Sequence, residues 1–362
     1  MRGGIAVLGA GGFVGSRLLE RAAHAGRTDI VPVVRAARSV GRTANLGISH
    51  RFGDASRAET LERALAGCEA VVNLTTGDPA DIPRTTENIY TAALAAGARL
   101  LVHLSSASVY GAVEQPDLPD DAPPWPGHWM AYARQKGVAE NFLRERMAER
   151  RLAIVVLRPG LVWGPGSPWV LGPATDLLRG AAFLAGSGGG ICNLMYVDDL
   201  LRGIDAVVAH REAPSGFYHV GDNETITWAK YYGALAAGLG VDPETIRAVP
   251  SDRYRTGLRD RVDELKALPI YKRARAWLPV EARAQIKRRL ARVRGRERPM
   301  SSAADNAVGT REIWHLQTTR YRLPTTKFRA TFGDHNMVPF PVGMAASLAW
   351  LRFIGIGLDE AA

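Results

Sequence analysis

The first half of the chain alternates short apolar runs with longer stretches whose apolar positions recur three and four residues apart. Residues 5–8, 30–34, 70–74, 100–104 and 153–157 are nearly continuous apolar runs, the pattern of strands buried on both faces of a parallel sheet. A shorter strand over 51–53 fits the same series. Between the runs, residues 12–25 set Val14, Leu18, Leu19 and Ala22 on one helical face, and helical patterns follow over 55–66 and around 86–96. A loop rich in Pro and Asp over 114–128 leads into a helix that carries Tyr132. This alternation predicts an α/β fold with a doubly wound parallel sheet.

Beyond Pro159 the pattern loosens. Gly- and Pro-rich stretches at 164–168 and 186–190 predict loops of a smaller lobe. Residues 195–200 and 217–221 look like returns to the main sheet, and 225–362 reads as mostly helical, with no internal repeat. The expected division is a sheet domain over 1–165, with 191–224 returning to it, and a mainly helical lobe over 166–190 and 225–362.

Candidate chemistry lies at the carboxyl ends of the expected strands, where ligands bind in such sheets. Gly9, Arg35, Thr75, Ser106 and Pro159 all fall there. Gly9-Ala-Gly-Gly12-Phe-Val-Gly15 follows the first run. Gly9 and Gly12 let the backbone approach a pyrophosphate, Gly15 lets helix and strand pack, and the helix N-terminus offers donors to phosphate oxygens. Tyr132 and Lys136 are four apart and share a helix face. An ammonium beside a phenol stabilises the phenolate and lowers its pKa from about 10. With Ser106 to hold a carbonyl oxygen, the three residues suit hydride transfer with a nicotinamide dinucleotide.

These pieces stand in one order: Gly9-x-x-Gly12-Phe-Val-Gly15, Gly53-Asp54, Ser105-Ser106-Ala-Ser-Val-Tyr110-Gly111, Tyr132-x-x-x-Lys136, Leu157-Arg-Pro-Gly-Leu-Val-Trp-Gly-Pro165 and Tyr196-Val-Asp198-Asp199-Leu. Over roughly residues 4–245 the chain resembles the extended short-chain dehydrogenase/reductase family, also called the NAD-dependent epimerase/dehydratase family. The resemblance implies a Rossmann-type sheet and a catalytic set of Ser106, Tyr132 and Lys136. It implies cofactor binding by Gly9, Gly12, Phe13, Val14, Arg35, Arg38, Asp54, Leu74, Thr75, Lys136 and Pro159, and no metal. Asp54 resembles the family residue that hydrogen-bonds the adenine, and it equally suits an N-cap for the next helix.

Dinucleotide choice and substrate class are thinner. NAD enzymes usually carry an acid at the end of the second strand. This chain has Arg35, with Arg38 following, and an Arg there can hold a 2′-phosphate. NADP is therefore expected, with NAD as the alternative. Sugar-nucleotide dehydratases of the family follow the catalytic Ser/Thr with Asp-Glu, whereas Ser106 is followed by Ala107-Ser108. The expected reaction is a carbonyl/secondary-alcohol interconversion, of ketoreductase or epimerase type, on a sugar-like or other polar metabolite. A non-catalytic nucleotide-binding member of the family is the contrasting reading.

Composition adds one feature. The chain has 362 residues and a net charge of +10. Residues 251–300 hold 16 Lys and Arg against 6 Asp and Glu, and the remainder holds 30 of each. All the excess therefore lies in one segment. Within it, 270–294 reads as a basic amphipathic helix, with Ala282, Ile286, Leu290 and Val293 as its apolar stripe. A lid helix and a membrane-surface contact both fit, the second allowing a peripheral enzyme with a lipid-linked substrate. The patch lacks interleaved aromatics and any recognition motif, so no nucleic acid is expected. No run approaches the roughly 20 apolar residues of a membrane span. Cys68 and Cys192 are too few for a disulfide framework and read as reduced thiols. The expectation is a cytoplasmic protein with a small-molecule substrate and a homodimer as its candidate assembly.

Overall fold

In the computed structural model, the described residues are 3–41, 43–111, 118–252, 311–334 and 337–357. The basic segment expected over 251–300, including 270–294, lies outside them beyond Asp252.

The apolar runs become β1 (Gly4–Leu8), β2 (Ile30–Val34), β3 (Arg51–Phe52), β4 (Cys68–Asn73), β5 (Leu100–Leu104), β6 (Ala153–Pro159) and, later, β10 (Gly216–Val220). They form one seven-stranded sheet in the order β10-β6-β5-β4-β1-β2-β3. Every pairing is parallel, with Ile5 beside Ile30, Ala70 beside Leu100 and Val102 beside Val155. Strand residues point alternately to opposite faces. Val7, Val72 and Val102 pack with Leu18 and Leu19 of α1 (Phe13–His24) and with Leu200 and Ile204 of α6 (Val197–Ala209). Ala6, Val71 and Leu101 face Leu61, Ile89 and Leu143 of α2 (Ala58–Leu65), α3 (Ile82–Ala95) and α4 (Ala131–Ala148). Two buried layers explain why these strands read as continuous apolar runs rather than alternating ones. The order reverses between β1 and β4, which opens the crevice used for ligands in such sheets.

One expected return does not occur. Residues 194–196 form β9 (Leu194–Tyr196), which pairs with β7 (Leu161–Trp163) in a separate two-stranded ladder. Only 216–220 joins the main sheet at that end. A three-residue apolar run does not encode its partner, and β7 immediately follows β6, so it captures β9 off the sheet edge. A second small ladder joins β8 (Phe183–Ala185) to β11 (Arg247–Val249).

The rest is mainly helical: α5 (Pro168–Leu178), α7 (Trp228–Gly238), α8 (Arg311–Thr318), α9 (Thr326–Phe332) and α10 (Phe340–Phe353). An aromatic core binds all of these but α9 to the β7–β9 ladder, and α9 packs through Phe328 and Phe332 against Tyr218 of the main sheet. Trp163 is fully buried, with ring centroids 5.3 Å from Tyr196, 6.2 Å from Tyr231 and 5.4 Å from Phe340. Rings at these separations add about 0.5–1.5 kcal/mol per pair beyond their burial. Both cysteines are free and buried. No helix among the described residues is long and apolar enough to cross a membrane.

Candidate active site

The glycine turn after β1 meets the head of α1. Gly9 has φ +80°, and a Cβ there would lie 2.8 Å from the Leu74 carbonyl. A Cβ on Gly15 would lie 2.3 Å from Gly9 O, so helix and turn can touch only through glycine. Gly12 differs: a Cβ there meets only Gly9 O, at 3.2 Å. The α1 N-terminus has no side-chain cap and no acid in its first turn, so its first N–H groups lack intrahelical partners and face the crevice. This cradle fits a pyrophosphate. Gly12→Ala should weaken dinucleotide binding by tenfold or more while leaving the denaturation midpoint nearly unchanged. Gly15→Ala should instead cost about 1–3 kcal/mol of stability through overpacking. Calorimetric cofactor titration paired with urea unfolding separates the two effects.

The glycine cradle opens into a cavity of about 430 Å³. Gly9, Gly12, Phe13, Val14, Leu74 and Pro159 line it, together with Ser106 and Tyr132. Ser106 lies two residues beyond β5, where its Oγ accepts from Ser108 N at 3.2 Å and keeps its own proton for another acceptor. The neighbouring Ser108 Oγ is buried, has no hydrogen-bond partner among the described residues and also lines the cavity.

Lys136 lies one turn along α4 from Tyr132 and is buried beneath the cavity. Its Nζ donates to Leu104 O at 2.7 Å and lies 6.0 Å from the Tyr132 ring centre. Burial pulls its pKa down to about 8, against the opposing pull of Glu140. The phenol departs from the sequence expectation. Burial and then the nearby Glu312 carboxylate push Tyr132 up to about 12. Desolvation outweighs the ammonium because Lys136 is turned to the Leu104 carbonyl. Tyr132 is thus held as a protonated acid at neutral pH.

Other expected positions are less direct. Thr75 turns away: its N and Oγ1 both donate to Asn73 Oδ1, at 3.0 and 2.6 Å, and Thr76 lines the cavity instead. Asp54 is not the N-cap of α2, a position taken by Arg57. Its Oδ1 accepts from Ser56 N and Oγ at 2.9 and 2.8 Å. That turn and the charge of Arg35 hold its carboxyl below the usual range, although its partial burial pushes upward more strongly than any one of them pulls down. Arg35 is exposed just after β2. The turn at 37–40 passes so close to the glycine loop that a Cβ on Gly11 would lie 2.2 Å from Ser39 O. The Arg38 side chain lies outside the described parts of the structure.

Beneath Ser106 is a buried polar network that the motifs did not announce. Glu140, one turn beyond Lys136, accepts from Ser105 Oγ at 2.5 Å and from Arg158 Nε and Nη2 at 3.0 and 2.5 Å. Arg158 Nη1 donates to Tyr110 Oη and to the carbonyls of Asp120 and Ala122. Tyr110 Oη reaches His219 Nε2 at 2.6 Å. Burial and Arg158 lower the His219 pKa to about 4, so its ring is neutral. Glu140 could have been suspected from its i, i+4 spacing to Lys136.

The far wall comes from distant parts of the chain: His128, Trp129, Trp169, Trp228, Glu312 and His315. The Trp129 and His315 rings stack at 5.6 Å, with the Arg311 guanidinium 4.8 Å over Trp129.

Residues 5–221 match the model of the NAD dependent epimerase/dehydratase family. The match spans more than half of the chain, and the protein belongs to that family, the extended short-chain dehydrogenases/reductases. It is therefore an NAD(P)-dependent enzyme of the dehydrogenase, reductase and epimerase class. The 2-alkyl-3-oxoalkanoate reductase of Shewanella oneidensis is 26% identical over 276 residues, covering 69% of this chain and 70% of the relative. The dTDP-glucose 4,6-dehydratase of Streptomyces antibioticus is 27% identical over 293 residues, covering 73% and 87%. A crystal structure of the Streptomyces venezuelae dTDP-glucose 4,6-dehydratase with NAD and TYD bound shares the fold, with a TM-score of 0.68 at 22% identity over 98% of this chain and 97% of that one.

Proposed function

We propose that this protein is a cytoplasmic NADP(H)-dependent oxidoreductase that reduces a ketone to a secondary alcohol, reversibly. The observation that carries this is one cavity joining an open phosphate cradle at Gly12 to Ser106 and a protonated Tyr132. The dinucleotide, when bound, supplies or accepts the hydride. The chain supplies the rest. The N–H groups of Phe13, Val14 and Gly15 hold phosphate oxygens. Ser106 donates to the substrate oxygen and fixes it near the phenol. Tyr132 gives that oxygen a proton during reduction and takes it back during oxidation. Lys136 has donors beyond the one spent on Leu104 O, and these suit ribose hydroxyls. Ala107-Ser108 offers no carboxylate after Ser106, which speaks against dehydration. Two reduced buried thiols suit a cytoplasmic setting. We take 166–190 and 225–362 as the substrate side, a reading supported by the origin of Trp169, Trp228, Glu312 and His315.

The preference for NADP rests on Arg35 after β2 and on the close passage of 37–40 over the glycine loop. A 2′-phosphate between guanidinium groups gains charge-assisted hydrogen bonds of about 1.5–3 kcal/mol each. NADPH should accordingly bind at least tenfold more tightly than NADH, and Arg35→Ala should erase most of that ratio. Fluorescence titration of both cofactors checks it. Equal affinities in the wild type would return the choice to NAD.

A further inference from the structure

Glu312 stands on the first turn of α8 and faces the same cavity as Tyr132 and Ser106. No hydrogen bond or ion pair to its carboxylate is found among the described residues, although the side chain is partly buried. The other described titratable groups of the wall carry no charge at neutral pH. Burial, with the neighbouring His315 and Arg134 side chains adding to it, lowers His128 to about 4, and burial followed by Arg311 lowers His315. Tyr132 and Tyr321 are both raised to about 12 by burial. None of the described lining residues is Arg or Lys. Two described guanidinium groups stand behind the lining, Arg311 4.8 Å over the Trp129 ring and Arg134 donating to His128 O at 2.7 Å.

A diphosphate-bearing substrate would therefore bring negative charge to a wall whose described residues offer one carboxyl group, its pKa raised by burial, and no Arg or Lys. Like charges in a partly desolvated pocket repel, whereas a donor or cation finds an acceptor with free lone pairs. The remaining wall is aromatic, and flat rings suit the faces of a cyclic substrate.

We infer that Glu312 sets the charge of the substrate: it receives the hydroxyl or ammonium group of an unphosphorylated cyclic ketone or alcohol whose ring lies against Trp129 and Trp169. This rests on the oxidoreductase reading above and narrows its substrate class. It has a chemical corollary. The Glu312 carboxylate opposes formation of the Tyr132 phenolate, and a bound ammonium group removes that opposition.

Three ketones of matched shape test the inference: 4′-(aminomethyl)acetophenone, 4′-(hydroxymethyl)acetophenone and 4′-acetylbenzyl phosphate. Each is titrated calorimetrically into the full chain saturated with NADP⁺, which cannot reduce it. The amine should bind about tenfold more tightly than the alcohol, the scale of one charge-assisted hydrogen bond. The phosphate should bind at least tenfold more weakly than the alcohol. In Glu312→Gln the amine and alcohol should agree within about twofold, and Glu312→Asp should retain the preference. An equal affinity of all three probes, no binding by any of them, or an amine preference that survives Glu312→Gln overturns the inference. Binding is read without turnover, so loss of the oxidoreductase reading, which Tyr132→Phe addresses, remains a separate result.

Discussion

Tyr132→Phe should lower kcat for ketone reduction by at least 10²-fold, the scale of losing one positioned acid. Dinucleotide affinity should stay nearly unchanged, because the phenol lies at the β5 end of the cavity and the phosphate cradle is at Gly12. Lys136→Ala should lower both rate and affinity. Ser106→Ala should lower rate alone, since the role proposed for its Oγ–H is to hold the substrate oxygen and not the phosphates. The pH dependence has a definite sign. Tyr132 is raised to about 12, so it remains protonated through neutrality and is ready to donate. Lys136 is lowered to about 8, so its ammonium is present below that pH and lost above it. Reduction should therefore hold a plateau below about pH 8 and fall above it. Alcohol oxidation needs the phenolate and should gain with rising pH until the Lys136 limb intervenes. Steady-state kinetics in both directions checks this, and a Tyr132→Phe enzyme with near-normal turnover would move the active site elsewhere.

The parts of this arrangement that could be read in the chain are those built from local repetition. Both sheet faces are apolar, so the strands appear as runs, and the helices between them repeat at the spacing of their inner faces. The glycine turn and the Tyr132–Lys136 pair lie within single elements, where spacing fixes geometry. Short strands escaped for the opposite reason. Residues 161–163, 183–185, 194–196 and 247–249 are too brief to show a period, and each owes its pairing to a distant partner. The substrate wall was equally hidden. Trp129, Trp169, Trp228 and Glu312 come from positions far apart in the chain and meet only at the folded cavity. The chemistry of Tyr132 also needed the fold, because burial and Glu312 reverse the shift expected from Lys136 alone.

The network under Ser106 should dominate stability. Arg158 and Glu140 are both fully buried and doubly hydrogen-bonded, and the Arg158 guanidinium lies 4.8 Å from the Tyr110 ring centre and 4.6 Å from that of Phe217. Burial opposes the guanidinium charge more than any one contact favours it, but the Glu140 carboxylate and Tyr110 together hold the Arg158 pKa above its ordinary value. Removing one partner strands the other charge without water. Glu140→Leu or Arg158→Met alone should each cost about 3–5 kcal/mol in urea unfolding. The double substitution should recover much of that loss, because neither charge remains to be desolvated. Activity should not recover with it. Arg158 also grips Tyr110 and the carbonyls of Asp120 and Ala122, and Glu140 holds Ser105 beside Ser106, the residue proposed to orient the substrate oxygen. A stable double variant with a depressed kcat would assign the pair to positioning. Single variants within about 1 kcal/mol of the wild type would instead mean that water reaches the pair and relieves the stranded charge.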